Sequence, residues 1–213
     1  MPVEVKICGL STPETVAAAL DAGADYVGLN FFPPSPRYVT PEAAAALAAM
    51  TRGHAGIVAL VVDASDALLK TIDDAVAADY IQVHGSETPE RVAVIKALTG
   101  KPVIKAIKVG GPEDVARASA YAGVADVLLF DTKAPTSLKE ALPGGNGIAF
   151  DWTLLGGKHG FMLSGGLTIG NVAEAIRVTG APIVDVSSGV ESAPGVKDAE
   201  LIRKFIEAAK RGG

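Results

Sequence analysis

Apolar and polar positions along the chain repeat one cycle. A short apolar or alternating run gives way to a turn bearing Gly or Pro, then to an Ala-rich stretch, and the cycle restarts. The first run, Val3-Glu4-Val5-Lys6-Ile7, alternates with the period of a strand. Eight runs read as strands, at roughly 3–8, 26–31, 57–62, 80–84, 103–108, 126–131, 161–164 and 182–187. Helical stretches are expected at 15–22, 42–50, 66–78, 90–98, 170–179 and 198–211. The segment 132–149 carries several Pro and Gly, and only a short helix near 151–155 is expected after it.

Punctuation supports the cycle. Thr12-Pro13-Glu14, Thr40-Pro41-Glu42 and Thr88-Pro89-Glu90 share one pattern, with Gly111-Pro112-Glu113 a close relative. Each suits a helix N-terminus: the Thr hydroxyl caps an N–H, Pro presets φ, and Glu favours the positive dipole end. A second pattern marks strand entries, at Ala24-Asp25-Tyr26, Ala78-Asp79-Tyr80 and Ala125-Asp126-Val127. Eight units of about 27 residues match compact βα units. They predict an α/β fold, a single (β/α)₈ (TIM) barrel over residues 1–213. An open doubly wound sheet fits less well, because the first turn, Cys8-Gly9-Leu10-Ser11, holds no GxGxxG.

Composition narrows the function. The formal net charge is −5 with no basic run, which argues against a nucleic-acid partner. One cysteine excludes an intramolecular disulfide and a Cys-rich zinc site. The N-terminus lacks a secretory pattern, and no apolar run approaches the ~20 residues of a membrane span. No membrane partner and a cytoplasmic location are expected, as monomer or homodimer. With three histidines, of which only His84 sits at a strand exit, no metal is expected; His54 and His159 are expected to face solvent.

Barrel active sites lie at the C-terminal ends of the strands. Those ends carry Cys8, Asn30, Asp63, His84, Lys105 or Lys108, Asp131, Ser164 and Asp185. Alternation puts Lys6 on the face of Cys8, and Asp185 on that of Ser187. A free cysteine is more often a small buried hydrophobe, but this set of polar exits at one rim argues for chemistry. Two turns, Ser164-Gly165-Gly166-Leu167 and Ser187-Ser188-Gly189-Val190, follow strands seven and eight. Their backbone N–H groups suit a phosphate, with helix starts expected at Gly170 and near Ser188. Gly165, Gly166, Ser188 and Gly189 are the candidate phosphate binders.

The motifs then converge. Lys6-Ile7-Cys8-Gly9, Ser35-Pro36-Arg37, Gln82-Val83-His84-Gly85, Leu129-Phe130-Asp131, Ser164-Gly165-Gly166-Leu167 and Asp185-Val186-Ser187-Ser188-Gly189-Val190-Glu191 run in order nearly end to end. In them the chain resembles the phosphoribosylanthranilate isomerases of tryptophan biosynthesis. That resemblance implies an Amadori rearrangement of a small phosphosugar-anthranilate substrate, without cofactor or metal. It implies Cys8 as general base, Asp131 as general acid, and Arg37 on the anthranilate carboxylate. His84 and Asp185 join Arg37 as expected substrate-binding residues. A thiolate base needs a nearby cation, for which Lys6 is a candidate unless it pairs with an inward carboxylate such as Asp185. A pentose-phosphate epimerase would want more histidines, and a non-catalytic phosphosugar barrel could dispense with Cys8 or Asp131.

Overall fold

The computed structural model describes residues 2–133, 144, 147 and 149–213. Eight parallel strands close a barrel in sequence order: β1 Glu4–Cys8, β2 Tyr26–Asn30, β3 Gly56–Val61, β4 Tyr80–Val83, β5 Val103–Val109, β6 Val127–Thr132, β7 Phe161–Leu163 and β8 Ile183–Val186. Helices α1 Pro13–Asp21, α2 Pro41–Thr51, α3 Asp66–Val76, α4 Pro89–Thr99, α5 Pro112–Arg117, α6 Val172–Thr179 and α7 Ala199–Gly212 fall between and after them. The expected fold class holds, and boundaries move by a residue or two.

The two repeated patterns acquire physical causes. Thr12, Thr40 and Thr88 accept from the N–H of Thr15, Ala43 and Arg91, each three residues on. Gly111 lacks a side chain and caps α5 without such a bond. The strand-entry aspartates bond across the barrel floor: Asp25, Asp79 and Asp126 each accept from the backbone N–H of Val5, Ile57 and Val103, all at 2.8 Å. Each carboxylate thereby occupies a strand-start donor on the neighbouring strand.

Alternation divides the side chains between two cores. Val5 and Ile7 of β1 pack toward the helices, as do Val27, Leu29, Ile57 and Ala59. Val58, Ile104, Ala106, Leu129 and Met162 fill the barrel interior. Lys6 shares that interior and is fully buried, paired in register with Asp185 of β8.

Some expectations need correction. The helix expected from Gly170 begins at Val172, and the stretch near 151–155 is a single 3₁₀ turn over Trp152–Leu155, capped by Asp151. Near Ser188 there is one 3₁₀ turn, Ser188–Val190, too short for a helix. It leads into an unforeseen antiparallel hairpin of β9 Glu191–Ala193 and β10 Val196–Lys197. Of the loop after β6, residues 134–143 lie outside the described residues.

Candidate active site

A cavity opens at the C-terminal end of the barrel. Cys8, Arg37, His84, Asp131, Gly165, Gly166, Asp185 and Ser188 all line it. Asn30 and Ser164 do so as well. Cys8 comes from β1 and Asp131 from β6, three steps apart around the closed barrel.

Around Cys8 the packing is tight and charged. Lys6 donates to Asp185 Oδ1 at 2.8 Å, and Ser164 Oγ donates to Asp185 Oδ2 at 2.9 Å. A Cβ on Gly28 would lie 3.0 Å from Lys6 Nζ and 3.1 Å from Cys8 Sγ, so the missing side chain of Gly28 makes their room. Burial pushes the Cys8 thiol above its ordinary value; Lys6 opposes the rise, Asp185 adds to it, and Lys197 opposes it. Burial also works against the Lys6 charge, but Asp185 and Cys8 together outweigh it and the ammonium is held above its usual range. The expectation that Lys6 serves the thiol is therefore modified: its charge is shared with Asp185, and desolvation wins at sulfur.

Asp131 sits in a second cluster. Its Oδ1 accepts from the Thr132 N–H at 2.8 Å, and its Oδ2 lies 3.0 Å from His84 Nε2. Gln82 Nε2 lies 2.9 Å from His84 Nδ1, so the imidazole is held from both sides. Glycines admit this cluster. A Cβ on Gly165, whose φ is +87°, would fall 2.3 Å from Thr132 Oγ1 and 2.9 Å from Asp131 Oδ1. One on Gly144 would fall 2.8 Å from Asp131 Oδ2.

Arg37 arrives on the loop between β2 and α2. Asn30 Oδ1 accepts from Phe32 N–H at 2.9 Å, and Ser35 Oγ accepts from Arg37 N–H at 3.2 Å, which ties that loop to the strand. Gly9, at φ +76°, leaves space where a Cβ would meet Arg37 Cδ at 2.7 Å. Arg37 is buried rather than a solvated loop charge, and its guanidinium forks onto Glu191 at 2.7 and 2.9 Å.

The two glycine turns meet behind the cavity. Gly165 and Gly166 have φ of +87° and +64°. Gly189 stands behind the wall rather than in it, since its Cβ would lie 2.0 Å from the Leu167 carbonyl oxygen. Among the described residues, no acceptor receives the N–H groups of Gly166, Ser188 or Gly189.

The remaining strand-exit candidates do not line the cavity. Asp63 adopts φ +47° and its carboxylate accepts from Ser86 N–H at 2.8 Å, away from the cavity. Lys105 points to the helix side and pairs with buried Glu87 at 2.7 Å. Lys108 is not among the described lining residues. His54 and His159 are exposed, as expected. Gly28, Gln82, Gly144 and the Glu191–Lys197 pair were not foreseen as site residues. The motifs already contained Gln82 and Glu191; no local signal marks Gly28.

Known proteins resemble this chain over nearly its full length. The family model described as N-(5'phosphoribosyl)anthranilate (PRA) isomerase matches residues 5–208. The chain is 54% identical over 214 residues to the N-(5'-phosphoribosyl)anthranilate isomerase of Parvibaculum lavamentivorans, covering 99% of this chain and 100% of that one. It is 53% identical over 215 residues to that of Paramagnetospirillum magneticum, covering 100% and 99%. The phosphoribosyl anthranilate isomerase of Thermotoga maritima superposes with TM-score 0.88 at 35% identity, covering 98% of this chain and 99% of that one. Another such isomerase, solved with reduced 1-(o-carboxyphenylamino)-1-deoxyribulose 5-phosphate, superposes with TM-score 0.84 at 34% identity and the same coverage.

Proposed function

The chain belongs to the phosphoribosylanthranilate isomerase family, and on that premise we propose that Cys8 is the general base and Asp131 the general acid of its reaction. The reaction is the isomerisation of N-(5'-phosphoribosyl)anthranilate to 1-(2-carboxyphenylamino)-1-deoxyribulose 5-phosphate, a step of tryptophan biosynthesis. The observation that carries the role assignment is one cavity lined by a thiol, a carboxyl, a guanidinium and two glycine turns.

The chemistry begins with two proton transfers. The acid form of Asp131 gives its proton to the ribose ring oxygen as the C1–O bond breaks. The nitrogen lone pair completes an open-chain iminium, and Asp131 is left as the carboxylate. The iminium acidifies the C2 proton, which the Cys8 thiolate removes. The electron pair returns to nitrogen, forming an enolamine. A proton returned to C1 and one taken from the C2 hydroxyl then give the aminoketose, and together they restore the Cys8 thiolate and the acid form of Asp131. Burial disfavours the thiolate; the iminium charge formed beside it favours the thiolate when it is required. His84, bonded to Asp131, orients the acid.

Arg37 binds the anthranilate carboxylate, a planar acceptor that suits a guanidinium. Arg37→Ala raises KM for the substrate, and kcat falls too, because the aryl end no longer fixes the sugar over Cys8. Unchanged steady-state kinetics would place the carboxylate elsewhere.

The Gly165-Gly166 and Ser188-Gly189 turns hold the 5-phosphate by their backbone N–H groups, Gly189 from behind the cavity wall. Gly166→Val forces a β-branched residue into positive φ. It raises KM strongly and leaves the pH profile of kcat unchanged, and inorganic phosphate competes with substrate in the unmodified enzyme. An anion ordered elsewhere on the rim, with these turns empty, contradicts the assignment. The direct test of the activity is turnover of freshly made phosphoribosylanthranilate, followed by loss of anthranilate-type fluorescence.

A further inference from the structure

Glu191 and Lys197 lie behind the cavity, and neither is among the described residues that line it. Their side chains are 4% and 1% exposed. Every acceptor position of the Glu191 carboxylate is used. Oε1 accepts from Arg37 Nε at 2.7 Å and Lys197 Nζ at 2.6 Å. Oε2 accepts from Arg37 Nη2 at 2.9 Å and the Gly195 N–H at 3.2 Å. Burial works against this charge, yet the two cations hold the carboxyl down to about 2, so it stays ionised across any working pH.

The cluster sits on a short hairpin packed without a gap against the loop that carries Arg37. Gly195, at φ +80°, touches that loop: a Cβ there would lie 2.5 Å from the Pro36 carbonyl oxygen. Lys197 also donates to Ser187 O at 2.9 Å and Ser187 Oγ at 3.1 Å, and Ser187 Oγ donates to the Cys8 carbonyl at 3.2 Å. One bonded chain thus runs from Arg37 through Glu191, Lys197 and Ser187 to the residue that bears the thiol. Two buried cations, Arg37 and Lys197, face one carboxylate.

We propose that Glu191 and Lys197 are positioning residues that lock the Arg37 fork in place and thereby set the enzyme's preference for an aryl group carrying a carboxylate. This rests on the reading of Arg37 given above. A guanidinium held along one edge by a fixed carboxylate meets the substrate already oriented, and little side-chain entropy remains to be lost on binding. Without Glu191, Arg37 and Lys197 become two like charges in a buried space and must move apart.

The test compares two inhibitors: reduced 1-(o-carboxyphenylamino)-1-deoxyribulose 5-phosphate and its aniline counterpart, which lacks only the carboxylate. The unaltered enzyme prefers the first by about tenfold or more. In Glu191→Gln that preference falls by about tenfold, while affinity for the aniline compound and for inorganic phosphate is retained. Lys197→Met lowers the preference as well, and Lys197→Arg restores it. If Glu191→Gln keeps the preference while Arg37→Ala loses it, the positioning role is overturned and the Arg37 reading stands. If Arg37→Ala also keeps it, the Arg37 reading fails first. Equal loss of both inhibitors in folded Glu191→Gln protein overturns the proposal in favour of a purely structural role.

Discussion

Asp131→Asn lowers kcat by about 10²–10⁴-fold with the barrel still folded. The amide fills the same volume and can still meet His84 and the Thr132 N–H, so packing changes little. What it loses is the proton for the ring oxygen, and C1–O cleavage is then left to water. Burst and single-turnover measurements should show the loss in ring opening, with substrate binding retained. Cys8→Ala gives a loss of similar order at the later step. The two losses do not add in the double variant, since both residues serve one sequence of proton transfers. An Asp131→Asn enzyme within a few-fold of the unaltered kcat removes the carboxyl from the acid role.

Lys6→Met is expected to destabilise the fold by about 3–5 kcal/mol, the cost of leaving Asp185 buried without its cation. The pair is shut inside the barrel, with the Lys6 and Asp185 side chains 0% and 5% exposed and 2.8 Å apart. Among the described residues, Ser164 alone remains to satisfy the carboxylate. Chemical denaturation reads this directly. The double variant Lys6→Met with Asp185→Leu recovers most of the stability, because apolar groups of similar volume replace the whole ion pair. A Lys6→Met protein as stable as its parent shows that Asp185 is neutral or hydrated in the folded state.

The barrel was readable from the chain because its signals are local. Each helix start declares itself by Thr-Pro-Glu, and the structure shows the Thr oxygen doing the capping. The Ala-Asp repeat was visible, but its cause was not: the aspartate bonds to a strand some twenty residues earlier, a contact only closure creates. The rim residues were readable as a set, since strand ends in such a barrel converge. Alternation alone could not sort them. Lys105 was offered with Lys108 as a strand-exit candidate, yet it faces the helices and Glu87. Asp63 turns back on Ser86 through a positive φ that no pattern announces. Gly28 and Gly144 matter for what they leave empty beside Cys8 and Asp131, and an absent side chain carries no signal of its own.

The assignment of Cys8 as base is tested most directly by the pH dependence of kcat/KM, which reports the free enzyme's ionisations. The thiol is held above its ordinary value, so the reactive thiolate is scarce at neutrality and grows as pH rises. The reaction also needs a carboxylic acid, which is lost as pH rises in step with the gain in thiolate, so kcat/KM holds level through neutrality and falls only past pH 9, the ordinary thiol value. In Cys8→Asp the base is a carboxylate, already ionised over that range, so nothing offsets the loss of the acid, and kcat/KM falls as pH rises through neutrality while some activity remains. The same level profile with the same alkaline fall in Cys8→Asp as in the unaltered enzyme would assign that fall to another group and take the base role from Cys8.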